Sequence, residues 1–61
     1  MKQATINGIK VNYIPYGDAI LLMKGVKELD ISNGLIIPYN SIDNGVFNLH
    51  GKDYTITLDI Q

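Results

Sequence analysis

The chain has one imidazole, His50, in the run His50-Gly51-Lys52-Asp53. Acid–base or nucleophilic chemistry needs such a group held beside a second acid, base or nucleophile, and a metal needs further ligands at defined spacing. Asp53 is the one near candidate. Nothing completes a triad or a metal motif, so His50 and Asp53 read as the tip of a solvated hairpin. The carboxylates Asp18, Glu28, Asp30, Asp43, Asp53 and Asp59 are dispersed. Ser41-Ile42-Asp43-Asn44-Gly45 has the outline of a calcium loop, yet it lacks the alternating acidic positions and the distal glutamate of that roughly 12-residue motif. An Asx-turn or hairpin is expected there instead. The glycines are singletons, so no phosphate cradle forms. The chain is therefore expected not to be an enzyme, with no catalytic residue, cofactor or metal.

Tyr13, Tyr16, Tyr39, Phe47 and Tyr54, with Lys2, Lys10, Lys24, Lys27 and Lys52 around them, offer a second kind of chemistry. Aromatic rings stack on bases and lysines track a backbone, so a small barrel binding single-stranded nucleic acid is the alternative function. Charge argues against nucleic acid as the partner. The net charge is -1 and all five cations are lysine, whereas non-specific affinity for phosphates needs a basic groove. Lysine without arginine, beside abundant Ile and Asn, matches an AT-rich genome such as that of a low-GC bacterium or its phages.

These side chains must be positioned by strands. In Asp53-Tyr54-Thr55-Ile56-Thr57-Leu58-Asp59-Ile60-Gln61 the apolar residues fall on one parity and the polar ones on the other, the pattern of a half-buried β-strand. Glycines at 8, 17, 25, 34, 45 and 51 punctuate the chain, three of them as Asn-Gly, the strongest short hairpin signal. Cutting there yields strands over 2–6, 9–14, 19–23, 26–31, 35–39, 46–49 and the closing run. Pro15 should end its strand or leave it at an edge. Ala19 to Met23 is apolar throughout, which suits a strand covered on both sides.

Asp18 to Leu29 also admits a helix, with Leu22, Val26 and Leu29 at helical spacing, although Gly25 costs it about 1 kcal/mol and a capping box is missing. The expected fold is all-β, a small antiparallel barrel or sandwich of six to seven short strands, with an α+β variant if a short helix forms within 18–29. The expected core is Ile6, Val11, Tyr13, Ile20, Leu22, Leu29, Ile31, Leu35, Ile37, Phe47, Tyr54, Ile56, Leu58 and Ile60.

At 61 residues the chain makes a single domain with a thin core, and with no cysteine it has no disulfide to staple it. A cytoplasmic, soluble protein is expected, since a small secreted domain usually carries bridges, and Ile20-Leu21-Leu22-Met23 is far too short to span a membrane. Ile14-Pro15-Tyr16 recurs as Ile37-Pro38-Tyr39, which invites the reading that two equivalent edges each present a tyrosine.

The span from Gly34 to Phe47, containing Ile37-Pro38-Tyr39-Asn40-Ser41-Ile42, resembles the strand-turn-strand segment of bacterial pleckstrin-homology-like domains. The likeness covers about a third of the chain and departs from the family in lacking its C-terminal helix. It implies a partly open β-barrel used for binding, and it transfers no site residues.

The function expected from all this is a non-enzymatic protein-binding module, either a small phage or mobile-element inhibitor of a bacterial host protein or a subunit of an assembly. Its contacts would be Tyr16, Tyr39, Ile36 and Ile42, because tyrosine and exposed aliphatics dominate interfaces and a free strand edge accepts a partner's strand. The expected partner is a protein, with a homo-oligomer as one form of it, and no membrane.

Overall fold

The computed structural model describes residues 2–59. Its order is β1 (Lys2–Ile6), β2 (Ile9–Tyr16), β3 (Ala19–Leu22), a 3-10 turn (Lys27–Leu29), β4 (Leu35–Pro38), helix α1 (Tyr39–Asn44), β5 (Val46–Leu49) and β6 (Lys52–Leu58). All six strands join one sheet in the order β4-β3-β2-β1-β6-β5, with antiparallel neighbours. A flat sheet is thin in one direction. Here the smallest extent is 20 Å against a largest of 27 Å, because the sheet curls into a nearly closed barrel.

Two-residue turns close three hairpins. Asn7-Gly8 and His50-Gly51 both hold positive φ at both positions (48° and 85°, 53° and 81°), as type I′ turns demand. The other two Asn-Gly pairs close no hairpin. Gly34 N–H donates to the Leu22 carbonyl at 2.9 Å as the chain enters β4, and Gly45 stops α1 in the left-handed region with its N–H on the Ile42 carbonyl at 2.9 Å.

The segment 26–31, expected as a strand, is a closed loop. Val26 and Ile31 hydrogen-bond to each other in both directions (2.8 and 3.1 Å), and Leu29 and Asp30 donate back to Val26 and Lys27. Its two ends satisfy one another, so it cannot run straight beside a neighbour. Leu29 and Ile31 are still buried. The helix considered within 18–29 shrinks to the 3-10 turn at 27–29, since Ala19–Leu22 pairs in the sheet on both sides. The helix that does form occupies 39–44, where a turn was expected. Pro38 precedes it, Gly45 ends it, and Tyr39 and Ile42, three residues apart on one side, pack against the core.

Pro15 lies in β2 opposite Ile20, beyond Tyr13, where the pairing of β1 begins. No β1 residue faces it, so its missing N–H costs the ladder nothing on that side. The repeated Ile-Pro-Tyr has no structural equivalence. Ile14 points outward and Ile37 is 2% exposed, and Tyr16 ends a strand whereas Tyr39 opens a helix.

The interior takes eleven of the expected residues and adds Ala4, while Leu35 and Leu58 are half-buried against it and Ile60 lies outside the described residues; Ala19 is buried too, on the outer side of β3. Phe47 and Tyr54 stack across β5 and β6 with centroids 5.1 Å apart. The Tyr54 hydroxyl then donates to the Leu29 carbonyl at 2.6 Å, tying the 26–31 loop to β6. Gly25 leaves no room for a side chain: a Cβ there would sit 2.9 Å from the Ile31 carbonyl oxygen. Tyr54→Phe, which strands a buried carbonyl, is expected to cost about 1–3 kcal/mol, and Gly25→Ala about as much through overpacking. Urea unfolding measures both, and a loss below about 0.5 kcal/mol in either would refute the packing described for that residue.

Candidate functional site

Strand parity sorts the exterior into two halves. On β1, β6 and the first part of β2 the outward positions are polar and bonded to one another. Gln3 donates to Asn12 (3.2 Å), Thr5 to Asp59 (3.1 Å), and Lys10 pairs with Asp59 at 3.2 Å. Asn7 accepts from the backbone and hydroxyl of Thr55 (2.8 and 3.1 Å), and Asn48 donates to Asp53 (3.0 Å). These outward positions make a polar surface.

The other half is apolar. Register places Ile14 opposite Leu21 and Leu21 opposite Ile36, and in the next row Tyr16 opposite Ala19 and Ala19 opposite Pro38. Alternation puts these six side chains on the outer face of β2–β3–β4, since Tyr13, Ile20, Leu22 and Ile37 between them are buried inward. Tyr16 is 55% exposed, Ile36 49% and Ile14 36%, with Leu21 half-buried between them. No charged residue stands in these two rows. Met23 continues the apolar run just past β3 and is also exposed.

The open side of β4 is poorly equipped for strand addition. Tyr39 N–H bonds the Asp18 carbonyl at 3.1 Å, continuing the β3–β4 register. Antiparallel bonding pairs recur at every second residue, so Leu35 and Ile37 turn their backbone groups to β3, while Ile36 and Pro38 turn theirs outward. Pro38 has no N–H. The strand's free edge is therefore left with a single donor, from Ile36.

Of the four expected contact residues, Tyr16 and Ile36 share this outer face. Tyr39 and Ile42 do not: both sit on α1, half-buried and packed on the core. Ile14 and Leu21 belong to the face and were not among the expected contacts. Their signal was present in the sequence, because reading Val11 and Tyr13 inward sends Ile14 outward, and an all-apolar β3 must place Leu21 outside.

The residues with potential chemistry lie apart from the face. His50 is exposed at the tip of the β5–β6 hairpin, and the Asp53 carboxylate is engaged by Asn48. Among the described residues no three His, Asp or Glu gather as a metal site. An open cleft of about 280 Å³ between the 24–28 loop and the start of β2 is lined by Gln3, Lys10, Asn12, Lys24 and Glu28 among others. Its charges are mixed, and His50 is not in it. Tyr13, Phe47 and Tyr54 are buried and Tyr39 is half-buried, so Tyr16 is the most exposed of the five aromatic rings. Among the described residues no helix is long and apolar enough to cross a membrane.

No protein-family model, curated protein or solved structure matches the chain. The functional reading therefore rests on the geometry.

Burial pushes the Tyr13 phenol above its usual pKa of 10.0, and the neighbouring Tyr39 and Asp59 charges add to it. In the unfolded chain this phenol ionises at its ordinary value, so above about pH 10 the unfolded state binds fewer protons and stability falls as pH rises. Below that pH the contribution is fully present. Unfolding free energy measured from pH 7 to 11 is expected to decline above pH 10 and to decline less in Tyr13→Phe. Equal slopes in the two proteins would show that Tyr13 is not the group responsible.

Proposed function

We propose that this domain is a non-enzymatic protein-binding module that docks through the outer face of β2–β3–β4. The carrying observation is the uncharged double row Ile14-Leu21-Ile36 and Tyr16-Ala19-Pro38, set on a barrel whose outward positions on β1, β6 and the first part of β2 are polar and bonded to one another. Its exposed apolar area is on the order of 400 Å², the size at which a patch on a small protein is often an interaction site. That is about a tenth of the 4128 Å² total surface. Tyr16 and Ile36 provide the exposed ring and branched aliphatic, with Leu21 and Ile14 completing the contact.

A subunit of a larger assembly fits this face better than an inhibitor that adds a strand to its target, because Pro38 removes a donor from the β4 edge next to it. A short chain without cysteine supports a cytoplasmic placement, because small secreted domains usually carry disulfides.

The test uses lysine on the face, Tyr16→Lys with Ile36→Lys, against Thr57→Lys on the polar half. Immobilised wild type is challenged with bacterial lysate and with soluble copies of itself. Face substitution is expected to reduce capture at least tenfold while Thr57→Lys retains it. Capture unchanged by the face substitution would remove this surface from the function.

A further inference from the structure

We infer that the occupant of this face is a second copy of the chain, in a twofold dimer whose two β2–β3–β4 faces stack. The inference rests on the docking reading above and adds the partner's identity and geometry.

Area is the first argument. A standard interface buries about 800 Å² per partner, of which roughly 60% is apolar. The face supplies most of that apolar share, and the polar flanks supply the rim. Charge is the second: the rows Ile14-Leu21-Ile36 and Tyr16-Ala19-Pro38 carry no charge, so two copies meet without like-charge repulsion. A charged partner would find nothing on the two rows to pair with. Topology is the third, since Pro38 leaves the β4 edge one donor, and cover must come from above the sheet instead of beside it.

Symmetry then limits the contacts. An isologous interface sets one patch against itself, and β3 lies between β2 and β4. A twofold axis parallel to β3 keeps each row over its own copy and exchanges β2 with β4. Leu21 meets Leu21 of the other copy, Ile14 meets Ile36, and Tyr16 lies on Pro38. Ala19, small and central in its row, leaves space for the tyrosines on either side. An axis perpendicular to the strands keeps both rows covered only when it runs midway between them, where Tyr16 lies on Ile14 and Leu21 on Ala19; set along the Ile14-Leu21-Ile36 row it would bring Tyr16 against Asn12.

Sedimentation equilibrium on the full chain tests this from roughly 1 µM to 1 mM. Wild type and Thr57→Lys are expected to rise from the 6.8 kDa of one chain to twice that mass. Leu21→Lys, which places two ammonium groups at the axis, is expected to stay at one chain with an unchanged circular dichroism spectrum. Tyr16→Lys, at a more exposed position, provides the same readout should Leu21→Lys fail to fold. Wild type at the mass of one chain up to 1 mM overturns the dimer, and it leaves the docking reading standing if the face variants still lose capture of other proteins. A dimer that persists in Leu21→Lys and Tyr16→Lys overturns the assignment of the face.

Discussion

A single alternation of side chains through a curled sheet holds the molecule together. Ile6, Ile20, Leu22, Ile37 and Ile56, from four strands, are the largest fully buried side chains. Each points inward only because its strand keeps register with its neighbours. A slip of one residue would turn a strand's apolar set outward and its polar set in. The hairpins guard against such a slip at two of the tightest points, where Asn7-Gly8 and His50-Gly51 accept backbone angles that few other pairs tolerate. Asn7 adds a further lock by bonding Thr55 across the β1–β6 seam.

Six short strands cannot close that interior by themselves, and the two longer connections complete it. The chain between β3 and β4 folds on itself between Val26 and Ile31 and sends Leu29 and Ile31 into the core. Between β4 and β5, α1 contributes Tyr39 and Ile42. Both devices are too short to be stable alone, since one helical turn does not repay its nucleation. They persist because each delivers apolar side chains to the barrel and is pinned at a defined point, by the Tyr54 hydroxyl in one case and Gly45 in the other.

This division explains what could be read from the sequence. Where pairing is local and one face is buried, period-two hydrophobicity reports the strand directly, as in β1, β2, β5 and β6. It misleads at 26–31, whose alternating Leu29 and Ile31 reach the core through a turn instead of a pleat. It misleads again at Asn44-Gly45, because a glycine at positive φ ends a helix as readily as it makes a hairpin. Pro38, the Tyr39/Ile42 spacing and Gly45 together mark α1, but a six-residue helix is a weak pattern beside a strong dipeptide. For the site, tyrosines after prolines drew attention to strand ends. The apolar continuity runs across β2, β3 and β4, and cross-strand rows appear only once register is known.

The two open sides of the barrel differ in how they resist pairing with another chain. Beside the apolar face, β4 ends in Pro38. On the far side, Ile56 N–H bonds the Gly45 carbonyl at 2.9 Å, which by alternation turns the backbone groups of Val46 and Asn48 outward on β5. That edge has neither proline nor charge, and its defence is shortness. Two residues offer about four hydrogen bonds at a net 0.5–1.5 kcal/mol each. The outer face of β2–β3–β4 offers on the order of 10 kcal/mol of gross hydrophobic free energy from its roughly 400 Å², before association costs common to any docking mode. By this measure the uncovered face outweighs hydrogen bonding at the β5 edge, which is the smaller term.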